Sequence, residues 1–307
     1  MIEVCNLHKS FAERTALNGI NLSIPEGEFY GLLGPNGAGK TTAISIMSTL
    51  IKSDSGSVRI NDIDTAKNPA RIKELIGVVP QEIALYDELT AYDNLMFWGS
   101  LYRVPHKQLS NRANELLNLF ALSDRKNDKL KNYSGGMKRR INIASALLHR
   151  PKILFMDEPT VGIDPQSRNM IFDVTENLHQ QGMTIVYTTH YMEEAEQHCN
   201  RIGIIDNGQI IAEGSLDELK KSTSTKETIA ITVTSTPINI LREMAEFWPD
   251  MKQTENTLNF NSSDIKTDLS RLVLKCHQLQ MEILNIEIVK TNLESLFLNL
   301  TGRHLRD

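Results

Sequence analysis

Short apolar runs without alternation mark the first two thirds of this chain. Residues 29–33 and 153–156 are unbroken apolar stretches, and residues 184–187 form a third run. Such runs, bounded by polar or glycine-rich segments, predict strands buried on both faces, as in a parallel sheet. Residues 41–47, shortly after the first run, have a pattern that predicts a helix. The pattern therefore predicts an α/β fold around a mostly parallel sheet.

The last third of the chain follows a polar, small-residue segment at 220–226 and has a different rhythm. Its segments are a β-branched alternation at 228–234, helical spacing at 237–248, a possible hairpin at 251–260, helical spacing at 265–278, a strand at 283–289 and a short helix at 293–300. The order β-α-β-β-α-β plus a tail helix is the ferredoxin-like order. We therefore predict a large domain at 1–219, a linker at 220–226 and a small α+β ferredoxin-like domain at 227–307.

Residues 34–41 read Gly-Pro-Asn-Gly-Ala-Gly-Lys-Thr, a complete G-x-x-x-x-G-K-[ST] phosphate loop. The loop lies between a predicted strand and a predicted helix, which is the setting that a phosphate cradle needs. Lys40 would contact the β- and γ-phosphates, and the Thr41 hydroxyl would ligate Mg²⁺. The residues predicted to bind a nucleoside triphosphate are Gly34, Pro35, Asn36, Gly37, Ala38, Gly39, Lys40, Thr41 and Thr42.

Two adjacent carboxylates, Asp157 and Glu158, follow the second apolar run. The carboxyl ends of parallel strands are where open α/β sheets bind their ligands. Asp157 is therefore the expected outer ligand of Mg²⁺, and Glu158 is the candidate to polarise the attacking water. A buried strand that merely ends in two acids is the alternative, which the phosphate loop makes less favoured.

Ser134, Gly135 and Gly136 precede a segment that predicts another helix. The serine can cap that helix and the glycines allow close approach to its first turn, so the helix end is a second anion site. One chain then has two helix ends that suit a phosphate, but only the end at residues 34–41 has a complete phosphate loop. We therefore expect two copies arranged head to tail, each placing residues 134–136 over the ATP held by the other.

Five motifs stand in order along the first 220 residues, namely GPNGAGKT, YSGGM, ILFMDEPT, VGIDP and TTH. In these motifs the chain resembles the nucleotide-binding subunit of an ABC transporter. The resemblance implies a P-loop NTPase cassette, in which a mostly parallel sheet carries antiparallel β and helical subdomains. It also implies ATP and Mg²⁺ as cofactors, and ATP hydrolysis coupled to transport.

The resemblance implies roles for three residues outside the phosphate loop. Phe11 would stack on adenine, Gln81 would contact Mg²⁺ and water, and His190 would contact the γ-phosphate and position Glu158. Phe11 could instead be a core aromatic, and Gln81 could be a polar loop residue. His190 is one of eight histidines, but it follows a predicted strand and so lies at the ligand edge of a parallel sheet.

The resemblance also implies contacts across a dimer. Ser134, Gly135 and Gly136 would contact the γ-phosphate bound by the opposite subunit, and Asp164 would link the two active sites. The signature reads YSGGM where many family members have Leu first and Gln last, but the contacting serine and glycines are kept. The implied catalytic set is Glu158, His190, Lys40 and Gln81, and the implied metal set is Thr41, Gln81 and Asp157.

Composition indicates which kinds of partner the chain binds and in which cellular compartment it lies. The net charge of −5 over 307 residues gives no reason to expect nucleic-acid binding. Cys5, Cys199 and Cys276 are odd in number and scattered, which favours free thiols in a reducing cytoplasm. No run approaches the ~18 apolar residues of a membrane helix. We therefore expect a cytoplasmic protein, peripheral on the inner face of the cell membrane.

Aromatic residues are concentrated in the segment from Gln81 to Tyr102, although they make up only 6% of the chain. In ABC proteins this region receives a cytoplasmic helix of the membrane subunit, so the resemblance implies an integral-membrane permease as partner. Internal packing within a helical subdomain is the alternative. The expected permease contacts are Leu85, Tyr86 and Trp98.

The tail at 292–302 resembles the end of ATPases from the drug-exporter branch, typified by the daunorubicin-type efflux systems. Together with YSGGM it favours an exporter of drug-like or other amphiphilic compounds. Two alternatives stay open, an importer ATPase with a ligand-sensing C-terminal domain and a soluble regulatory ABC ATPase. A homodimer is the expected assembly, and the intact motifs allow two equal active sites.

Overall fold

The computed structural model describes residues 1–222, 227–235, 238–262, 264–289 and 293–301. The chain divides into two compact units, with the division in the sequence between Leu216 and Asp217. The predicted linker at 220–226 begins inside a helix, because residues 220–222 complete the helix Leu216–Ser222. Residues 223–226 lie outside the described residues. The domain limits given by the sequence therefore stay predictions.

The first unit combines ten strands with seven α-helices among its described residues, and an eighth helix begins at Leu216 and continues into the second unit. The strands are β1 (Ile2–Phe11), β2 (Arg14–Ile24), β3 (Phe29–Leu33), β4 (Ser55–Ile60), β5 (Ile63–Asp64), β6 (Ile76–Val79), β7 (Ile153–Asp157), β8 (Thr184–Thr189), β9 (Arg201–Asp206) and β10 (Gln209–Gly214). The helices are α1 (Lys40–Met47), α2 (Pro69–Leu75), α3 (Ala91–Ser100), α4 (His106–Leu119), α5 (Gly135–Ala146), α6 (Pro165–Gln180), α7 (Met192–His198) and α8 (Leu216–Ser222).

A six-stranded sheet forms the centre of this unit, in the order β10-β9-β3-β8-β7-β6. Strand β3 pairs in parallel with β8 and β9, β7 pairs in parallel with β8 and β6, and only β10 runs antiparallel to its neighbour in this sheet. The three predicted apolar runs lie in β3, β7 and β8, and every residue of these strands is buried. Burial on both faces explains why their apolar residues do not alternate with polar ones.

The register of the sheet brings four loops together at its carboxyl edge. Leu33 lies opposite Thr189, and Asp157 lies opposite Thr188, so β3, β7 and β8 end at the same level. Strand β6 ends at Val79, opposite Met156. The segments that follow these strands therefore emerge side by side. They are the segments in which the sequence predicts the phosphate loop, His190, Glu158 and Gln81.

Two further layers surround this sheet. An antiparallel sheet in the order β2-β1-β4-β5 shares a buried core with α1. Helices α3, α4 and α5 share a second apolar core with β7 and α6. The antiparallel and helical parts implied by the family resemblance are thus both present. Within the described ranges, no helix is long and apolar enough to cross a membrane.

The second unit has the element order predicted from its sequence. After α8 its elements are β11 (Glu227–Val233), α9 (Ile238–Phe247), β12 (Lys252–Thr254), β13 (Thr257–Ser262), α10 (Ile265–Gln278), β14 (Ile283–Val289) and α11 (Leu293–Thr301). The strands form an antiparallel sheet in the order β12-β13-β11-β14. Alternate residues of β11, Ile229 and Ile231, are fully buried in an apolar core with Met244 and Leu272. The ferredoxin-like assignment stays a prediction.

Candidate functional site

The loop after β3 has the backbone of a phosphate cradle. Gly37 and Gly39 have φ angles of +80° and +114°, a region that favours glycine. A Cβ at Gly34 would lie 2.3 Å from the carbonyl oxygen of Ile205, so a side chain does not fit there either. Helix α1 begins at Lys40, directly after the last glycine. The N–H groups of a glycine loop and of a helix start suit an anion.

A cavity of about 510 Å³ opens over this loop. It contains most of the residues predicted from the phosphate loop together with three predicted residues from distant segments. Its lining residues are Phe11, Arg14, Ala16, Asn36, Gly37, Gly39, Lys40, Thr41, Thr42, Gln81 and Glu158. Phe11 is half exposed, so it is not a core aromatic. The aromatic ring and the phosphate loop are therefore available to one ligand.

Lys40 holds the loop from inside. Its Nζ donates to the carbonyl oxygens of Gly34 at 2.7 Å and Pro35 at 3.1 Å. The same atom lies 3.0 Å from Oε1 of Glu158, and both side chains are buried. A buried ion pair needs such additional hydrogen bonds to offset the loss of hydration. The loop closes further through Ala38, whose backbone N–H donates to the carbonyl of Pro35 at 3.2 Å.

Three predicted catalytic side chains surround Glu158. Its Oε1 faces Lys40, its Oε2 lies 3.3 Å from Nδ1 of His190, and the Gln81 side-chain amide donates to Oε2 at 3.4 Å. The Glu158 backbone has a φ of +44°, a left-handed conformation that is costly for a residue with a side chain. Thr188 stabilises it, because the Glu158 N–H donates to the Thr188 Oγ1 at 3.0 Å.

The predicted metal ligands suit Mg²⁺ by their chemistry. Asp157 is buried, and one of its oxygens accepts a hydrogen bond from Thr188 Oγ1 at 2.6 Å, which leaves the other carboxylate oxygen available. Thr41 and Gln81 line the cavity and offer neutral oxygens. Among the described residues no group of three or more His, Cys, Asp and Glu side chains forms a metal site. Mg²⁺ takes few protein ligands and completes its shell with phosphates and water.

The signature residues and Asp164 form a separate group that does not line the cavity. Ser134 caps α5, since its Oγ accepts the Met137 N–H at 3.2 Å. A Cβ at Gly136 would lie 2.6 Å from Oδ2 of Asp164, whereas a Cβ at Gly135 would meet nothing within 4 Å. Asp164 caps α6, and the hydrogen bond from the Ser167 N–H lowers the pKa of its carboxyl group.

Two arginines that sequence reasoning missed also touch the site. Arg14 lines the cavity and donates through Nη2 to the Gly37 carbonyl at 3.0 Å. Its position in the same hairpin as Phe11 was the one feature of the sequence that could have indicated a place for Arg14 in the site. Arg139 is buried in α5 and donates to the carbonyl oxygens of Pro80 and Gln81. Burial lowers the pKa of its guanidinium group. Nothing in the local sequence pattern indicates these backbone contacts.

Comparisons with known proteins agree with this geometry. A family model described as "ABC transporter" matches residues 17–161. The linearmycin resistance ATP-binding protein LnrL of Bacillus subtilis (strain 168) is 44% identical over 321 residues, and the alignment covers 100% of both chains. The daunorubicin resistance ATP-binding protein DrrA2 of Streptomyces coeruleorubidus is 34% identical and covers 96% of this chain and 93% of its own length.

A solved structure supports the same assignment. The dimeric, post-hydrolysis structure of the ATP-binding cassette MJ0796, bound to ADP and Pi, matches with a TM-score of 0.65. It is 30% identical in sequence and covers 70% of this chain and 99% of that chain. These matches confirm the predicted P-loop cassette and the resemblance to the drug-exporter branch. This chain belongs to the ABC transporter family as an ATP-hydrolysing, ATP-binding protein, and is similar to the drug-resistance ATP-binding proteins of that family.

Proposed function

We propose that this chain drives the export of drug-like or other amphiphilic compounds through a separate membrane permease, acting as a head-to-tail homodimer on ATP and Mg²⁺. The observation that carries the proposal is the Glu158 carboxylate, which lies between Lys40 and His190 at the carboxyl edge of the parallel sheet. Two relatives that align over nearly their whole length, the linearmycin and daunorubicin resistance ATP-binding proteins, support the direction of transport.

A composite site explains why the predicted residues fall into two groups. Lys40 and Glu158 line the cavity and His190 lies beside Glu158, whereas Ser134 and Gly135 lie at the N-terminal end of α5. Ser134 and Gly135 are exposed, so the N–H groups of that helix end would be accessible to a phosphate. In a head-to-tail dimer the helix end of one copy would therefore close over the γ-phosphate held by the other.

Each predicted catalytic and metal-binding residue then has a chemical task. Lys40 would neutralise charge on the β- and γ-phosphates, and Glu158 would accept a proton from the attacking water. His190 and Gln81 would hold the Glu158 carboxylate and that water in line with the γ-phosphate. Mg²⁺, held by Thr41, Gln81 and Asp157, would neutralise the charge that develops on the phosphate oxygens. Loss of the γ-phosphate removes the bridge between copies and would let the dimer open.

An exposed aromatic patch offers a docking surface for the permease. We define it as Ile83, Tyr86 and Phe97, and the rings of Tyr86 and Phe97 meet edge to face at 5.0 Å. Leu85 and Trp98, which were also expected to contact the permease, pack largely against the helical core. We therefore propose Tyr86 as a direct contact, with Leu85 and Trp98 supporting it. An apolar, aromatic surface suits a helix docked in a groove.

Side chains of α5, the helix that begins after Ser134, contact residues 80–87, which carry part of this patch. Arg139 holds the carbonyl of Pro80 at 2.7 Å, and Nζ of Lys138 lies 2.7 Å from Asp87. Asn142 accepts the Ala84 N–H at 3.4 Å. Because α5 begins next to Ser134, a movement of the patch would carry the signature with it. This linkage supports a transport role over a purely regulatory ATPase.

The proposed place of action is the cytoplasm, on the inner face of the cell membrane. To test the whole proposal, tagged Glu158→Gln protein is trapped with ATP in gently solubilised native membranes. We expect a protein with several membrane spans to co-purify, and Tyr86→Ala in the same background to reduce its recovery. Recovery of a homodimer alone from membranes of intact composition would favour a regulatory ATPase. A permease that accumulates substrate inside right-side-out vesicles would favour the importer alternative.

A further inference from the structure

Three carboxylates are buried among the described residues, and the proposed chemistry uses only two of them. Asp157 and Glu158 belong to the site, whereas Glu194 in the first turn of α7 has no assigned role. Glu194 is 5% exposed, so its charge is costly to bury unless it is paired and hydrogen-bonded. Its neighbour Glu193 is exposed and has the same charge. The position of Glu194 therefore calls for an explanation.

One oxygen of Glu194 accepts two hydroxyl groups from β8. Tyr187 donates its phenol to Oε2 at 2.8 Å, and Thr189 donates its Oγ1 to the same atom at 2.8 Å. Burial, with the nearby Glu194 charge adding to it, raises the pKa of Tyr187 well above its usual value, so this phenol stays a donor. The other oxygen, Oε1, lies 3.7 Å from Nε of Arg168 in α6. Glu194 thus joins three elements of the cassette.

The contact between Glu194 and Thr189 fixes the turn that carries His190. Thr189 precedes His190 and is held by Glu194, and its Oγ1 also accepts the backbone N–H of Tyr191 at 2.9 Å. Both residues flanking His190 are therefore held through a single hydroxyl. The rings of His190 and Tyr191 are in contact, with centroids 4.2 Å apart. A shift of Glu194 would move the imidazole that lies beside Glu158.

The contact between Glu194 and Tyr187 reaches the turn that carries Glu158. The Tyr187 hydroxyl lies 3.0 Å from Oγ1 of Thr160, which is fully buried two residues after Glu158. The carboxylate of Glu194 is thus linked to both sides of the His190–Glu158 pair, which is separated by 3.3 Å. Arg168 links Glu194 to a third segment, the start of α6, because this arginine lies in the first turn of the helix that Asp164 caps. Its guanidinium group also stacks over the ring of Tyr191, 5.5 Å from the centroid.

We propose that Glu194 is a positioning residue that sets the His190–Glu158 geometry through Thr189 and through Tyr187–Thr160. The inference rests on the proposed roles of His190 and Glu158 in hydrolysis. Glu194 does not contact the cavity, so its effect must pass through the residues that it holds. A misplacement of about 1 Å in a catalytic group can cost about 100-fold in rate.

A double-mutant cycle between Glu194 and His190 tests this directly. We expect Glu194→Ala in the full chain to lower kcat for ATP by about 100-fold while KM changes by less than about twofold. In the His190→Ala background the same substitution should lower kcat by clearly less than about 100-fold, because the part of its effect that passes through Thr189 and His190 is already lost. A purely structural role predicts equal effects in both backgrounds. Glu193→Ala is the matched control and should leave kcat unchanged.

A conservative pair of variants keeps the test independent of folding. Thr189→Val preserves the shape of the side chain but removes the hydroxyl that joins Glu194 to the His190 turn, and Thr189→Ser keeps that hydroxyl. We expect the valine variant to lower kcat with little change in KM, and the serine variant to restore it to within about threefold of the wild type.

The possible outcomes separate this inference from the proposed function. If His190→Ala slows turnover but neither Glu194→Ala nor Thr189→Val does, the positioning role is wrong and the catalytic assignment survives. Equal losses from Glu194→Ala with and without His190 would also contradict the positioning role. Turnover unaffected by His190→Ala would overturn the proposed role of His190 itself, and with it this inference.

Discussion

Nζ of Lys40 lies 3.0 Å from Oε1 of Glu158, so the lysine of the phosphate loop and the candidate base form one buried ion pair. That ammonium group also donates to the carbonyls of Gly34 and Pro35. A phosphate bound in the loop would compete with Glu158 for the same cation. Binding of nucleotide would thereby change the charge environment of the group that we propose to activate water.

Removal of Lys40 should affect both binding and stability. Lys40→Ala deletes the cation of the cradle and leaves the Glu158 carboxylate buried without its ion pair, which can cost about 3–5 kcal/mol. We expect calorimetry to detect no ATP binding and urea unfolding to show a lower free energy of unfolding. Lys67→Ala is the control, because that side chain is 79% exposed and its ion pair lies at the surface. Unchanged nucleotide affinity in Lys40→Ala would refute the role of Lys40.

The half-exposed ring of Phe11 should contribute to affinity through stacking on the base. We expect Phe11→Ala to weaken ATP binding by about 1–3 kcal/mol, the usual loss for one stacked base, and Phe11→Tyr to retain it. Fluorescence titration with an ATP analogue measures the difference. Phe247→Ala removes another exposed aromatic residue, from the second unit, and should leave affinity unchanged. Equal affinities for Phe11→Ala and wild type would show that the base lies elsewhere.

The two signature glycines should respond differently to a methyl group. A Cβ at Gly136 would lie 2.2 Å from Oγ of Ser167, so Gly136→Ala must shift α6 or α5, a strain that commonly costs about 1–3 kcal/mol. Gly135→Ala meets nothing within 4 Å and should leave thermal unfolding nearly unchanged. It should instead weaken ATP-dependent dimerisation, measured by light scattering. Normal dimerisation of Gly135→Ala would argue against this helix end as the contact to the opposite nucleotide.

Arg139 should control how firmly the segment after β6 is held to α5. Arg139→Gln cannot span the carbonyls of Pro80 and Gln81 as a guanidinium group does. We expect amide hydrogen exchange in residues 82–87 to become faster, while exchange in β3 stays the same. Arg140→Gln, which breaks contacts to Phe120 and Met170 instead, serves as the control. Unaltered exchange at 82–87 would show that the loop does not depend on α5.

Local sequence was sufficient for the cradle because strand, glycine loop and helix are contiguous in the chain. The approach of Glu158 and His190 also followed from the sequence, since parallel strands align their carboxyl ends, whereas the place of Gln81 beside them came only from the family resemblance. Glu194 and Arg139 could not be found in this way. Their partners are hydroxyl groups and backbone carbonyls set by tertiary packing, and no spacing of residue types indicates such contacts.

Two sequence-based expectations were limited by patterns with more than one structural meaning. Aromatic residues favour cores and interfaces alike, so the exposure of Tyr86 and the packing of Trp98 could be distinguished only in the structure. The polar residues Lys220 and Lys221 resembled the start of a linker, yet they form the last turn of α8. Lysines are favourable at that position, because they face the negative end of the helix dipole.

ATP turnover and oligomeric state of Glu158→Gln test the central claim most directly. We expect this variant to bind ATP with nearly wild-type affinity, to hydrolyse it at least about 100-fold more slowly, and to accumulate as an ATP-bound dimer. The control Glu82→Gln changes an exposed carboxylate and should hydrolyse ATP normally. Hydrolysis by Glu158→Gln at the wild-type rate would contradict the account, because the carboxylate between Lys40 and His190 would then not be the group that activates water.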